Sequence, residues 1–165
     1  MVWGDEFHVC NPPQVKQLID AYEQYQKPVI TLIKSTPEVH ADYCSKYGCV
    51  DAKEVGDGVY EIKGIVEKPS PDEAPSDLFS LGGYILTPRV MEILEKTPEG
   101  KGGEIWLVDA IAQAIKEDTV YGKLIDSKYY DTGSKQGFLQ ATVDAALERD
   151  DLKDDFKQYL QGLGL

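Results

Sequence analysis

The stretch NPPQVKQLIDAYEQYQKPVITLIK, residues 11–34, holds a helix signal followed at once by a strand signal. Asn11-Pro12-Pro13 is a helix start, because Asn can cap free backbone N–H groups and Pro suits the first helical position. Val15, Leu18, Ile19 and Tyr22 then recur at i, i+3, i+4 and i+7, which lines up one apolar face. Lys27-Pro28 ends the helix, and the β-branched run from Val29 to Lys34 reads as a buried strand.

The same alternation continues outward from this stretch. Strands are expected at Tyr47 to Asp51, Val59 to Lys68 and Leu81 to Thr87, with Gly56-Asp57-Gly58 as a hairpin turn between the first two. Residues 69–77, rich in Pro, Ser and acids, read as an exposed loop. Thr87-Pro88 opens a second helix with Val90, Met91, Ile93 and Leu94 inside. Gly100 to Gly103 is a flexible break, and a third helix runs from Glu104 to Glu117 with Ile105, Val108, Ile111, Ala112 and Ile115 on its inner side. Strands at Val120 to Ile125 and Lys128 to Tyr130 precede two helices, Ser134 to Glu148 and Leu152 to Leu160. At the other end, Val2-Trp3 leading to Gly4-Asp5 reads as the end of a central strand at the carboxyl edge of a sheet, where ligands bind. Interleaved strands and helices imply an α/β fold, a mixed sheet flanked by helices. No linker or repeat divides the chain, so residues 1–165 are expected to belong to a single domain, with 149–165 as a C-terminal helical tail.

Composition narrows the function classes. The 165 residues are 42% hydrophobic and 28% charged, ordinary for a globular domain with a real core. Seventeen Lys and Arg against 29 Asp and Glu give a net charge of −12, a field that repels nucleic acid and anionic membrane. A phosphorylated ligand therefore needs a local cation or a metal. No apolar run is long enough to span a bilayer and no signal peptide is visible, so the cytoplasm is the expected compartment. Cys10, Cys44 and Cys49 match no zinc or redox spacing and read as reduced thiols. His8 and His40 lack partners at ligand spacing and read as surface or loop residues.

Four places carry chemistry. Asp5, after an apolar pair, can hold a hard cation such as Mg2+ or serve as a turn residue. Asp131, before Thr132-Gly133-Ser134, can do the same or favour the start of the next helix. Glu67, at the end of a long strand, can accept bonds from two sugar hydroxyls while Lys68 meets phosphate, or the two can be a surface ion pair before Pro69. Gly48 after Tyr47 can let a sugar ring approach bare backbone, or mark a strand-entry kink.

The segments Trp3-Gly4-Asp5-Glu6, Tyr47-Gly48-Cys49-Val50, Val66-Glu67-Lys68-Pro69 and Tyr130-Asp131-Thr132-Gly133 resemble, in order, the second half of the sugar nucleotidyltransferase fold. Gly82-Gly83-Tyr84-Ile85-Leu86 and the run from Gly103 to Ile111 are similar to the bacterial UTP–glucose-1-phosphate uridylyltransferases in particular. The resemblance extends to about Ala145 and implies an incomplete Rossmann-like, GT-A-like sheet. It further implies that Asp5 and Asp131 share Mg2+, that Glu67 binds glucose, and that Lys68 contacts the sugar phosphate. Lys68 and Asp131 would then be the catalytic pair. Glu6 falls where relatives carry Asp or Asn near the sugar, and Tyr84 falls near the ligand or in the core. Cys49 replaces the usual aliphatic residue after the Gly. The implied partners are glucose 1-phosphate, UTP and UDP-glucose, with a homo-oligomer in the full-length form.

The G-x-G-T-R loop that cradles the nucleotide phosphates in that family, and the lysine-bearing segment after it, do not occur in this sequence. The residues present are therefore expected to be the C-terminal, sugar-phosphate and metal-binding part of such an enzyme, inactive alone. Two alternatives remain: a stand-alone sugar-phosphate-binding or regulatory subunit, and a thymidylyltransferase of the same family.

Overall fold

The computed structural model describes residues 1–100 and 102–164. Lys101, inside the expected break at Gly100 to Gly103, and Leu165, inside the expected tail, lie outside the described residues. The chain divides into two compact units, one formed by Met1–Val2 with Cys10–Ser127 and the other by Trp3–Val9 with Lys128–Leu165.

The first unit contains α1 (Gln14–Tyr25), β2 (Val29–Lys34), α2 (Pro37–Lys46), β3 (Gly48–Gly56), β4 (Val59–Glu67), β5 (Leu78–Ile85), α3 (Pro88–Leu94), α4 (Leu107–Glu117) and β6 (Tyr121–Leu124). The second contains β1 (Glu6–Val9), β7 (Lys128–Asp131), α5 (Lys135–Glu148) and α6 (Lys153–Gly162).

In the first unit five strands run in the order β2-β5-β3-β4-β6 and close on themselves. The sheet is mixed: β2 and β6 are parallel, and the other pairs are antiparallel. β2 has partners on both edges, which is why residues 29–33 are all buried and its sequence is a continuous apolar run rather than an alternation. The β3–β4 hairpin turns through Asp57 and Gly58, both with positive φ (53° and 66°), as a type I′ turn requires. Ile30, Leu32, Val50, Ile62 and Leu78 form the sheet side of the main core, covered by Val90 and Ile93 of α3 and Ala110, Ile111 and Ala114 of α4. Leu18 and Ala21 of α1 pack with Val29 and Val59 in a smaller cluster.

Several local expectations shift. The strand end expected at Val2-Trp3 is absent; Met1 exchanges two bonds of 2.8 Å with Tyr84, and the β1 ladder begins only at Glu6, after the bend at Gly4-Asp5. Pro13, not Asn11, occupies the cap of α1. β5 begins at Leu78 because Ser76 anchors the loop end, its hydroxyl donating to the Val50 carbonyl and accepting from the Leu78 N–H. α4 starts at Leu107 rather than Glu104, so Ile105 stays 53% exposed and the buried face passes to Ala110, Ile111 and Ala114. Met91 likewise points outward. α2 was not expected at all: within PEVHADYCSK only Cys44 is buried, which leaves almost no apolar periodicity to read.

The cysteines are free, with Cys44 and Cys49 buried. The histidines are not surface or loop residues. His40 lies in α2 with its Nδ1 2.9 Å from the Ser35 hydroxyl, and His8 lies half-buried in β1 against Tyr129. No helix of the described residues is long and apolar enough to cross a membrane.

Candidate functional site

In the first unit the strand register brings Gly48 and Glu67 together, because they are direct partners on β3 and β4. A Cβ built on Gly48 would lie 3.1 Å from Glu67 Oε2 and 3.0 Å from Ile65 Cδ1. The Glu67 carboxylate and the Ile65 side chain therefore lean over the glycine and take the space that a side chain there would fill. Burial pushes the Glu67 carboxyl above its usual range; Lys68 draws it back, and Asp109 in the first turn of α4 adds to the rise.

Lys68 follows with φ of 47°, and its N–H donates to the Tyr47 carbonyl at 3.2 Å. A non-glycine residue in the left-handed region costs about 1–3 kcal/mol, and the following Pro69 disfavours helical backbone further. Strain of that kind persists only where its surroundings over-determine it, and it gathers at ligand sites. The Lys68 side chain is exposed and makes no ion pair among the described residues, so its charge is available to an anion.

Tyr84 stands further along β5, partly buried against the main core. The ladder between β2 and β5 slips just before it, between Ile30 and Thr31. A polar knot holds the slip: Gln14 Nε2 donates to Thr31 Oγ1 and to the Gly82 carbonyl, both at 2.8 Å, and Thr31 Oγ1 donates to the Gly83 carbonyl at 2.9 Å. A cavity of ≈ 410 Å³ in this unit lies elsewhere, between α3 and α4, lined by ion-paired side chains such as Arg89 and Glu117, and includes neither Glu67 nor Lys68.

In the second unit β1 and β7 form a two-stranded antiparallel ribbon in which Glu6 opposes Asp131. Two like charges directly opposite each other destabilise a ladder unless a cation offsets them. Asp5 is tied to the loop after Asp131, because both the N–H and the hydroxyl of Thr132 donate to the Asp5 carbonyl, at 2.7 and 2.8 Å. Both carboxylates then converge on Gly133: a Cβ there would lie 3.0 Å from Asp5 Oδ2 and 3.2 Å from Asp131 Oδ1. Asp131 Oδ1 also accepts from the Gly133 N–H at 3.0 Å. Ser134 caps α5, its hydroxyl accepting from the Gly137 N–H.

Among the described residues no three His, Cys, Asp or Glu groups cluster for a metal ion, so Glu6 does not join Asp5 and Asp131 as a third ligand. Two carboxylates fit Mg2+, which is held by one or two carboxylates with water and substrate phosphates completing its shell. They fit zinc and calcium less well, since those ions take more protein ligands.

Gly137 was missed by the motif reading. A Cβ on it would fall 1.9 Å from the Asp131 carbonyl oxygen, so only glycine lets the first turn of α5 lie against the loop that carries Asp131. The available signal was a glycine inside an otherwise helical pattern.

The chain belongs to the nucleotidyl transferase family, which it matches over residues 2–148. It is 42% identical over 153 residues to the UTP–glucose-1-phosphate uridylyltransferase of Streptococcus pneumoniae, covering 92% of this chain and 50% of that protein. Among solved structures it resembles a UDP-glucose pyrophosphorylase complexed with UDP-glucose (TM-score 0.80, 35% identity, 90% of this chain and 55% of that one). It also resembles the UTP-bound UGPase from Acinetobacter baumannii (TM-score 0.83, 32% identity, 97% and 54%). The chain spans about half the length of the curated relatives it matches. The α/β class expected from the sequence, a mixed nucleotidyltransferase sheet flanked by helices, is the class found.

Proposed function

We propose that this chain supplies the sugar-phosphate-binding and metal-binding part of a uridylyltransferase that converts UTP and glucose 1-phosphate to UDP-glucose and pyrophosphate. The observation that carries the reading is the half-buried Glu67 carboxylate inclined over Gly48 with the Lys68 ammonium next in sequence. An ionised carboxylate accepts bonds from sugar hydroxyls and an ammonium meets phosphate, so the pair suits a sugar phosphate. The similarity to uridylyltransferases supports glucose as the sugar and UTP as the nucleotide. Residues 1–165 are then the C-terminal part of a single nucleotidyltransferase domain.

In that reaction a phosphate oxygen of the sugar attacks the α-phosphorus of UTP, a P–O bond forms, and the bond to pyrophosphate breaks. The attacking oxygen is already ionised at neutral pH, so no general base is required and catalysis is positioning and charge neutralisation. Lys68 offsets charge on the sugar phosphate, Glu67 and Gly48 seat the ring, and Tyr84 borders the ligand. Asp5 and Asp131 would hold Mg2+, which supplies charge neutralisation on phosphate oxygens.

Titrating the chain with glucose 1-phosphate tests the reading. Binding that is lost in Glu67→Ala and weakened in Lys68→Ala is expected. Because the G-x-G-T-R loop is missing from the sequence, the chain by itself should form no UDP-glucose from UTP, glucose 1-phosphate and Mg2+. Equal binding by wild type and Glu67→Ala would refute the site, and turnover by the isolated chain would refute the division of labour.

A further inference from the structure

We propose that Gln14 is a positioning residue for the sugar-phosphate site: its side-chain amide pins the bulge at Gly82-Gly83 and so holds Tyr84 where it meets the ligand. The inference rests on the reading that Tyr84 borders a sugar phosphate.

A polar residue stands where an apolar one is expected. Gln14 opens α1, four and seven residues before Leu18 and Ala21, which are the buried residues of that helix, so it belongs to the inward stripe. A glutamine on such a stripe costs free energy unless its amide is bonded there. Nε2 donates to Thr31 Oγ1 and to the Gly82 carbonyl, both at 2.8 Å, which uses both of its hydrogens. The Thr31 hydroxyl then donates to the Gly83 carbonyl at 2.9 Å. One side chain of α1 thus reaches two strands of the sheet.

The two carbonyls belong to the irregular step of the ladder. Thr31 opposes Leu81 and Ile30 opposes Tyr84, so Gly82 and Gly83 of β5 span a single step of β2. A bulge bends its strand and re-aims the side chain that follows it, here Tyr84. Gly83 has φ of 119°, and a Cβ on it would overlap Gln14 Nε2 and lie 2.6 Å from Thr31 Oγ1, so the amide fills the space that the glycine leaves. Thr31, Gly82 and Gly83 are buried, away from water that could replace a lost bond. Two adjacent glycines hold no conformation by themselves, and without the amide the bulge has several open to it. Met1 holds the Tyr84 backbone from beside the strand, through two bonds of 2.8 Å. Gln14 holds it from before the bulge, and acts on the ligand only through Tyr84.

Calorimetric titration of the 165-residue chain with glucose 1-phosphate tests this in wild type, Gln14→Glu, Gln14→Met, Tyr84→Leu and the two double variants, each at a temperature where circular dichroism shows it folded. Both Gln14 variants keep the length of the side chain and lose both donors. Each should lower the share of chains with Tyr84 in place to roughly a tenth to a third, and so weaken binding roughly three- to ten-fold. In the Tyr84→Leu background the same substitutions should change affinity by less than about two-fold, a non-additivity that general loss of stability does not produce. Tyr84→Phe replaces Tyr84→Leu in the cycle where the latter binds too weakly to measure. Equal losses in both backgrounds, or wild-type affinity of both Gln14 variants beside an impaired Tyr84→Leu, would overturn the role of Gln14 alone. Wild-type affinity of Tyr84→Leu would overturn the reading of Tyr84 and Gln14 with it. Absence of glucose 1-phosphate binding by wild type would overturn the sugar-phosphate reading beneath both.

Discussion

Replacing Gly48 by alanine adds one methyl group at the point where the Glu67 carboxylate leans across the sheet. The new Cβ would stand 3.1 Å from Glu67 Oε2 and 3.0 and 3.2 Å from the Ile65 side chain. All three contacts are to the far ends of side chains, not to backbone, so both neighbours can rotate away. Overpacking of this kind costs about 1–3 kcal/mol. Alanine also reduces the freedom of the unfolded chain, which returns about 0.4–1 kcal/mol where the backbone conformation is compatible. Gly48 is not among the residues with positive φ, so that return applies, and the net loss of stability should be about 1–2 kcal/mol. Binding should suffer as well, because the methyl displaces the Glu67 carboxylate from its place over the glycine. Losing hydrogen bonds to a charged acceptor costs about 1.5–3 kcal/mol, or roughly ten- to a hundred-fold in affinity. Urea unfolding followed by fluorescence reads the first quantity, and calorimetric titration with glucose 1-phosphate reads the second. A variant that binds within two-fold of wild type would refute the assignment of Gly48 and the Glu67 carboxylate over it to the sugar, whatever its stability.

Mg2+ should stabilise the wild-type chain against unfolding, by about 1.4 kcal/mol at ten times its dissociation constant, and should do so less in Asp131→Asn, as thermal melts with and without metal will show. An equal Mg2+ effect in both proteins would remove Asp131 from the metal site. Gly137→Ala should destabilise the second unit and abolish the Mg2+ effect, since its Cβ would meet the Asp131 carbonyl oxygen at 1.9 Å and backbone must move; hydrogen exchange of α5 amides reports it. His8 is held neutral by burial, its pKa lowered from 6.5 to about 4. As pH falls through that window the unfolded chain takes up a proton that the folded chain refuses, so stability that is complete above pH 6.5 is lost toward pH 4. After allowance for the part of the ring that water reaches, the loss is about 1–2 kcal/mol, and His8→Phe should flatten the stability profile over that range.

What the sequence disclosed depends on how far each feature's cause extends along the chain. The helix of residues 14–25 and the strand of residues 29–34 were legible because their signals are local: a 3.6-residue apolar stripe, then a β-branched run punctuated by Pro28. The Asp57-Gly58 turn was legible because two positive φ angles demand such residues. α2 was hidden because it buries a single cysteine and so carries no stripe. β1 was hidden because Glu6-Phe7-His8-Val9 is too short and too polar to outweigh the apolar Val2-Trp3 before it. The burial of His8 against Tyr129 follows from a ladder partner more than a hundred residues away, which no local window contains.

The candidate site divides along the same line. Glu67, Lys68, Asp5 and Asp131 could be picked out because they are charged side chains in recognisable short motifs. Gly48 was legible through its place after Tyr47, whereas Gly137 acts by what it lacks, and that absence gains meaning only once its neighbour, the Asp131 carbonyl, is known. A motif search ranks these residues by identity, whereas the register ranks them by adjacency. In a sheet that closes on itself, the Glu67 carboxylate meets the Gly48 backbone only through the register of β3 and β4, a relation written across the chain rather than along it, and the Gly48 variant examines it.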